Sequence, residues 1–116
     1  MIAHVILFKP RPGLGAAERS ALLQALKTAS RDIPGIRSFR VGKRVLHGLP
    51  GYEQMMPEDF AFFVIIEVDD LEALKIYLAH PAHAAFGAHF TQSSAAALAY
   101  DYEVVDVADA MRLMEK

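Results

Sequence analysis

The segment YLAHPAHAAFGAHF, residues 77–90, concentrates side chains that are able to do proton chemistry. It contains one tyrosine and three of the five histidines in the chain. A histidine accepts and returns a proton near neutral pH, and a tyrosine hydroxyl can donate a hydrogen bond to a carbonyl oxygen that gains negative charge. His83 and Tyr77 are therefore the candidate catalytic pair, and the chemistry they indicate is enolisation of a ketone-bearing substrate.

Three further residues are candidates for binding the substrate beside this pair. His83 shares one face of a predicted helix with Phe86 and Phe90, and an apolar wall of this kind keeps a histidine ring neutral and basic. His4 projects from the predicted first strand and can enter the same cavity from the sheet. The predicted site thus lies between the sheet and the helix.

Each of these residues also has a purely structural interpretation. Tyr77 could fill space between helix and sheet, and His83 could be a packed, hydrogen-bonded histidine. His80 precedes Pro81, a position that predicts a helix cap rather than a catalytic group. His80 and His83 have a spacing that could hold a metal, but without a cysteine or an H-E-x-x-H pattern we predict no metal site.

The composition predicts one soluble globular domain. The 116 residues include 53% hydrophobic and 22% charged residues, and there are no cysteines. The net charge of −2, without a basic run, argues against a nucleic-acid partner. The lack of cysteine and of any apolar stretch long enough to cross a bilayer leads us to expect a cytoplasmic protein with no membrane partner.

Hydrophobic periodicity predicts four strands and two principal helices. Alternation predicts strands in AHVILFK, IRSFRVGKR, DFAFFVIIEV and LAYDYEVVDV, the third being central. Spacing of three to four predicts a helix from Ala16 with an apolar stripe at Leu22, Leu23, Leu26, Ala29 and Ile33. A second helix, capped at Asp69 with a buried stripe at Leu71, Leu74 and Leu78, is broken at Pro81 and restarts to reach about Ala97.

Two segments lie outside this regular pattern. Residues 46–58, LHGLPGYEQMMPE, carry two prolines and two glycines and predict a long loop that could act as a lid. Residues 107–116 predict a short tail helix after a domain that spans residues 1–106.

The order β-α-β-β-α-β indicates an α+β, ferredoxin-like fold with a four-stranded antiparallel sheet and both helices on one face. Apolar residues on both faces of the first and third strands would leave the second face exposed as a large hydrophobic patch. We therefore expect a homodimer in which a second copy covers that face.

Four segments together resemble the stress-responsive A/B barrel domain family, called Dabb, of the dimeric α+β barrel superfamily. They are HVILFKPRPG, IPGIRSFRVG, LEALKIYLAHPAH and DYEV, and the Y-x-x-H-P-x-H pattern is the most distinctive. The resemblance spans His4 to Val104 and implies the same fold and a homodimer. Haem-degrading members of the superfamily use Trp and Asn, both absent from this chain, so no cofactor is expected.

A plant member of the family, olivetolic acid cyclase, implies a specific reaction for the Y-x-x-H-P-x-H segment. In that enzyme the residues matching Tyr77 and His83 act in an aldol cyclisation of a linear polyketide, and a first-strand histidine matches His4. Its third-strand histidine falls at Phe63 in an ungapped comparison, so the resemblance implies that Phe63 is a fourth substrate-binding residue, in a pocket altered by the change from histidine. Two hypotheses remain: a cofactor-independent lyase, cyclase or isomerase, and a non-catalytic dimeric protein that binds a small apolar or ketone-bearing molecule or supports a stress response.

Overall fold

The computed structural model describes residues 1–115 and shows a four-stranded sheet with helices against one face. The strands are β1 (Ile2–Pro10), β2 (Ile36–Lys43), β3 (Phe62–Val68) and β4 (Ser94–Glu103). The α-helices are α1 (Ala16–Asp32), α2 (Leu71–Ala79), α3 (Pro81–Ser93) and α4 (Ala110–Met114). Two short 3₁₀ helices cover Glu53–Met55 and Val107–Asp109. The predicted tail helix is thus present as two short turns, and its last residue, Lys116, lies outside the described residues.

The sheet has the strand order β2-β3-β1-β4 with every neighbour antiparallel. This order confirms the predicted ferredoxin-like fold, and β3 and β1 form its central pair. Because side chains alternate across a strand, the even-numbered residues of β1 and β3 face the helices. Ile6 opposite Val64 and His4 opposite Ile66 are two such pairs, and all four side chains are buried.

The core lies between this face of the sheet and helices α1, α2 and α3. Its members are apolar residues from every layer: Ile6, Phe8, Leu22, Ala29, Ile33, Val64, Ile66, Val68, Leu74, Tyr77, Phe86 and Phe90. Transfer of such side chains from water is the main favourable contribution to folding. Leu23, predicted to be part of the buried stripe of α1, is half exposed instead because it lies at the edge of that stripe, beside a cavity.

The prediction that α3 extends to about Ala97 was wrong, since α3 ends at Ser93 and β4 begins at Ser94. Alanine favours a helix, but tertiary context overrides propensity. Here the alanine-rich segment pairs with β1, with Ala97 opposite Phe8 and Ala99 opposite Ile6. The small side chains of Ala97 and Ala99 therefore lie on the face of β4 that is directed toward α3, and they leave space between β4 and α3.

The predicted start of α2 is displaced by one residue. Asp70, not Asp69, is the N-cap, and its Oδ1 accepts from the Ala73 amide at 2.9 Å. Asp69 instead accepts from both Nε and Nη2 of Arg37, at 2.7 and 2.9 Å. This bidentate pairing of an exposed aspartate with arginine joins the end of β3 to the start of β2.

The predicted buried stripe of α2 is also only partly correct. Leu71 and Leu78 are exposed, at 54% and 40% of their surface, whereas Leu74 and Tyr77 are buried. The helix has only nine residues, so a single narrow stripe faces the sheet, and Tyr77 occupies the end of that stripe. The tyrosine that the sequence singles out is therefore held in the core.

The second face of the sheet carries no helix among the described residues. Its side chains are mainly apolar or aromatic: Val5, Leu7, Phe63, Ile65, Leu98, Tyr100 and Tyr102. Several of them are substantially exposed, including Tyr100 and Tyr102 at 52% each. A patch of this kind on one protein commonly marks an interface.

The predicted loop between β2 and β3 is confirmed as irregular apart from its 3₁₀ turn. An ion pair between Lys9 of β1 and Glu58, at 2.8 Å, joins it to the sheet, and a second pair between Arg44 and Asp59, at 2.7 Å, links the two ends of the connection between β2 and β3. Within residues 1–115 no helix is both long enough and apolar enough to span a membrane.

Candidate active site

A break between two helices brings Tyr77 and His83 together. Pro81 begins α3 directly after α2 ends, and His80 lies between them in an extended conformation. The His80 Nδ1 atom accepts from the Ala82 amide at 3.0 Å, which confirms the predicted cap. Tyr77 in the last turn of α2 and His83 in the first turn of α3 therefore face each other, with ring centroids 4.9 Å apart.

The Tyr77 hydroxyl is buried and has no hydrogen-bond partner among the described residues. Burial raises the pKa of Tyr77 above its ordinary value, and the negative charge of Asp101 raises it further. The hydroxyl therefore stays protonated and able to donate. A buried polar group without a partner is uncommon in proteins and costs free energy, so it points to a role other than packing.

His83 is partly buried, and its ring lies next to the Tyr77 ring. Burial lowers its pKa below the ordinary value, and the neighbouring His4 lowers it further, while a hydrogen bond with the Leu78 backbone acts in the opposite direction. The imidazole is consequently neutral near pH 7 and can accept a proton. The sequence predicted this property from the apolar wall of α3, and Phe86 lies edge-on to His83 at 6.4 Å between centroids.

His4 completes a cluster of three rings. Its centroid lies 5.5 Å from Tyr77 and 6.3 Å from His83. The His4 Nδ1 atom forms a 2.6 Å hydrogen bond with Oδ1 of Asp101, the residue directly opposite it on β4. When Nδ1 donates to the carboxylate, Nε2 of a neutral His4 is left as an acceptor, so Asp101 fixes both the ring orientation and its tautomer.

A cavity of about 290 Å³ opens beside this cluster, between α3 and β4. His4, His83 and Thr91 form its polar part, and Phe86 and Phe90 form part of its apolar wall. Ala97 and Ala99 line it as well, so the small side chains of β4 provide the space. Tyr77 does not line this cavity, although its ring lies next to those of His4 and His83.

The structure brings together five of the six residues that the sequence proposed for the site. Tyr77, His83 and His4 form the ring cluster, and Phe86 and Phe90 lie along the cavity. Phe63 does not join them. Its side chain lies on the second face of the sheet, over Gly42, where an added Cβ would overlap the Phe63 ring.

The alternation of β3 explains this separation. Val64 and Ile66 face the helices, so Phe63 between Phe62 and Val64 must face the other way. The neighbours of Phe63 on both sides, Phe62 and Val64, are the residues that face the helices. The Phe62 ring packs at 6.1 Å from Phe8, on the helix side of the sheet.

Asp101 is the site residue that sequence reasoning missed. The alternation of Tyr100 and Tyr102 already places Asp101 on the opposite face of β4. Its pairing with His4 depends on the register of β4 against β1, which no local pattern reveals. The register is therefore the information that the sequence alone did not supply.

The candidate site contains two histidines, one tyrosine and one aspartate, and side chains of these types can donate and accept protons. No group of three histidine, cysteine, aspartate or glutamate side chains suited to a metal occurs in the described part of the chain. None of the described residues of the 46–58 loop lines the cavity, so the structure shows this loop away from the candidate site.

Comparison with known proteins places the chain in a family. Residues 2–104 match the model of the Stress responsive A/B Barrel Domain, Dabb. The chain belongs to this family. An uncharacterised protein of Streptomyces coelicolor is 31% identical over 105 residues, which cover 89% of this chain and 99% of the relative. The family assignment confirms the resemblance inferred from the sequence.

Solved structures agree with the fold of this Dabb protein. A dimeric protein of unknown function from Bacteroides fragilis, with a ferredoxin-like fold, is 27% identical, with a TM-score of 0.61 and coverage of 89% of this chain and 95% of that one. Hydroxynitrile lyase from Passiflora edulis superposes with a TM-score of 0.77, covering 91% of this chain and 94% of that one. Its 8% identity restricts the likeness to the fold.

Proposed function

We propose that this protein is a cofactor-independent acid–base catalyst that acts on a ketone-bearing substrate, as a lyase, cyclase or isomerase. The observation that carries the proposal is the buried, unpartnered hydroxyl of Tyr77 beside the neutral imidazole of His83. The Tyr77 hydroxyl can donate a hydrogen bond to a carbonyl oxygen, and the His83 imidazole can accept a proton from the adjacent carbon. These are the two functions that enolisation requires.

The substrate would enter the cavity between α3 and β4. There the carbon that loses its proton faces His83, and His4, oriented by Asp101, hydrogen-bonds to the substrate from the sheet. Tyr77 does not line the cavity, so the His83 ring would have to move aside before the Tyr77 hydroxyl could donate a hydrogen bond to the carbonyl oxygen. The enolate formed in this way could be protonated again, eliminate a leaving group or attack a second carbonyl.

Two comparisons support this proposal in a limited way. The Y-x-x-H-P-x-H segment resembles that of olivetolic acid cyclase, which implies that His83 and Tyr77 could take the same parts in an aldol cyclisation. Hydroxynitrile lyase from Passiflora edulis has this fold, so the fold accommodates a lyase there. Because folds host many activities, the argument rests on the side-chain cluster.

We also propose that the protein functions as a homodimer through the second face of the sheet. The support is the exposed apolar patch that includes Phe63, Leu98 and Tyr100. The related Bacteroides fragilis protein is described as dimeric. The candidate cavity opens on the helix side, so each copy would keep its own ring cluster.

The direct test is exchange of α-protons. The protein is incubated in deuterated buffer with a panel of aliphatic ketones and β-keto thioesters, and deuterium uptake beside the carbonyl is followed by NMR. The wild-type protein should accelerate uptake in at least one compound, and His83→Asn, which keeps the shape but removes the basicity, should lose about two to four orders of magnitude in rate. Equal rates in the wild-type and His83→Asn proteins would exclude the acid–base assignment and leave the non-catalytic, ligand-binding hypothesis.

A further inference from the structure

A second cavity, larger than that of the candidate site, lies between α1 and the β2–β3 side of the sheet. Its volume is about 390 Å³, at the lower end of the range that small-molecule sites occupy in proteins. Leu22, Leu23 and Leu26 of α1 form one wall, and Val41 and Val64 of the sheet form the other. The proposed enolisation makes no use of this cavity.

The lining of this cavity consists of apolar residues and two cationic residues. Every described residue that lines it is apolar except two, Arg19 on α1 and Lys43 at the end of β2. Both cations are exposed. The wall therefore offers no acidic side chain and no uncharged polar one, so it suits a ligand that is apolar over most of its length and anionic at one end.

The two cations also lack the partners that most cations of this chain have. Lys9, Arg11, Arg31, Arg37, Arg40, Arg44 and Arg112 each contact a carboxylate. Neither Arg19 nor Lys43 makes such a contact within residues 1–115, and the same is true of Lys27 and Lys75, which do not line the cavity. Two unpaired positive charges thus flank the same apolar cavity, without an anion supplied by the described chain.

We propose that this cavity binds an aliphatic carboxylate of medium chain length. The tail lies between α1 and the sheet, and the carboxylate is held by Arg19 and Lys43. Apolar burial supplies most of the affinity, and the planar guanidinium of Arg19 suits the two oxygens of a carboxylate. The site is separate from the ring cluster and does not rest on the proposed enolisation.

Phe90 relates the two cavities. It lines both of them, and its ring packs against Phe8 at a centroid distance of 4.6 Å. Phe8 and Phe90 therefore lie between the cavity proposed to bind the aliphatic carboxylate and the candidate active site. A tail that reaches the inner end of its cavity contacts the same Phe90 ring that a substrate would contact from the other side.

The test is a calorimetric titration of the full chain with hexanoate, octanoate, decanoate and dodecanoate below their critical micelle concentrations. Each methylene that enters the cavity should tighten binding by up to about fourfold, and the gain should stop when the cavity is full. Arg19→Gln with Lys43→Gln should weaken decanoate binding about fivefold, and decanol should bind equally to the double variant and the wild type. Added salt should weaken binding of decanoate to the wild-type protein and have little effect on decanol.

A charge-matched control and a cavity-filling variant complete the test. Lys27→Gln with Lys75→Gln removes the same charge from positions away from the cavity and should leave decanoate binding unchanged. Leu23→Trp fills the cavity from a half-exposed position that tolerates a larger side chain, and it should abolish binding. No binding of decanoate, an equal loss in the two charge variants, or full binding in Leu23→Trp would each overturn the proposal.

Discussion

His4 on the central strand β1 and Asp101 on the edge strand β4 are directly paired across the sheet and joined by a 2.6 Å hydrogen bond. His4 is buried, whereas the Asp101 side chain is 40% exposed. The carboxylate thus reaches from the sheet edge to the ring cluster. It sets the orientation of His4, and its negative charge also acts on Tyr77, whose pKa it helps to raise.

Asp101→Asn should lower activity without disrupting the fold. An asparagine amide can offer Nδ1 of His4 a donor instead of an acceptor, so the ring loses its fixed tautomer. The rate of α-proton exchange should fall by about tenfold, the scale of one charge-assisted hydrogen bond. The measurement is the exchange rate as a function of pH. Loss of the carboxylate removes a negative charge from the site and should change the pH dependence of the rate, whereas a packing defect would lower the rate equally at every pH. Asp106→Asn, in the segment after β4, is the control that should leave the profile unchanged.

Tyr77→Phe should stabilise the protein while it removes function. The native hydroxyl is buried without a partner, so its removal relieves a desolvation cost of about 1 kcal/mol and should raise the melting temperature by roughly 4–8 °C. Exchange activity should fall, because no donor remains for the carbonyl oxygen. Differential scanning calorimetry and the exchange assay measure the two effects. Tyr52→Phe, in an exposed loop, should change neither. A destabilised Tyr77→Phe protein would indicate that the hydroxyl serves packing.

The activity should persist below the pH at which ordinary histidines become protonated. The pKa of His83 is lowered mainly by burial, so the ring stays neutral as pH falls past about 6.5 and becomes protonated only at the lower folded-state pKa. The pH–rate profile should show its acidic limb in that lower range. On the alkaline side, ionisation of Tyr77 should not limit the rate near its ordinary value of 10.0, because its pKa is raised. An acidic limb above pH 6.5 would contradict the role of His83.

The lowered pKa of His83 should also make the free energy of unfolding depend on pH. The unfolded chain takes up a proton at His83 near pH 6.5, and the folded chain does so only at lower pH. The folded state is therefore favoured above the ordinary pKa and loses this contribution as pH falls through the lowered pKa. Chemical denaturation of the wild-type protein between pH 7 and pH 5 should show a loss of stability that is smaller in His83→Asn. An identical pH dependence in both proteins would show that His83 does not titrate differently on folding.

The sequence predicted those parts of the fold that are determined by residues close together in the chain. Alternation identified β1 and β3, and the Pro81 signal identified the helix break with His80 as its cap, because proline acts on its immediate neighbours. Tyr77 and His83, which flank this break, were proposed as a pair because of their residue types and their place in the Y-x-x-H-P-x-H segment. The ring cluster was therefore accessible from sequence to the extent that it depends on one short segment.

The parts that the sequence did not predict depend on partners distant in the chain. The alanine-rich start of β4 has helical composition and becomes a strand through pairing with β1. Asp101 meets His4 through the same register. Phe63 was proposed for the site from an ungapped comparison, but its side chain lies on the other face of β3, because neighbouring residues of a strand point to opposite faces. Long-range pairing, rather than local propensity, determines the first two features, whereas the position of Phe63 follows from the alternation within β3.

Leu98→Glu should prevent self-association. Leu98 lies opposite Leu7 on the second sheet face and is 40% exposed, so a charge there would be buried in the proposed homodimer without a partner. Native mass spectrometry and light scattering should give twice the chain mass for the wild-type protein and the single chain mass for the variant. Leu71→Glu, an equally drastic change at an exposed leucine on the helix side, should remain dimeric. A wild-type monomer at micromolar concentration would mean that the second face is not a dimer interface, whereas a dimeric Leu98→Glu protein together with a monomeric Leu71→Glu protein would place the contact on the helix side.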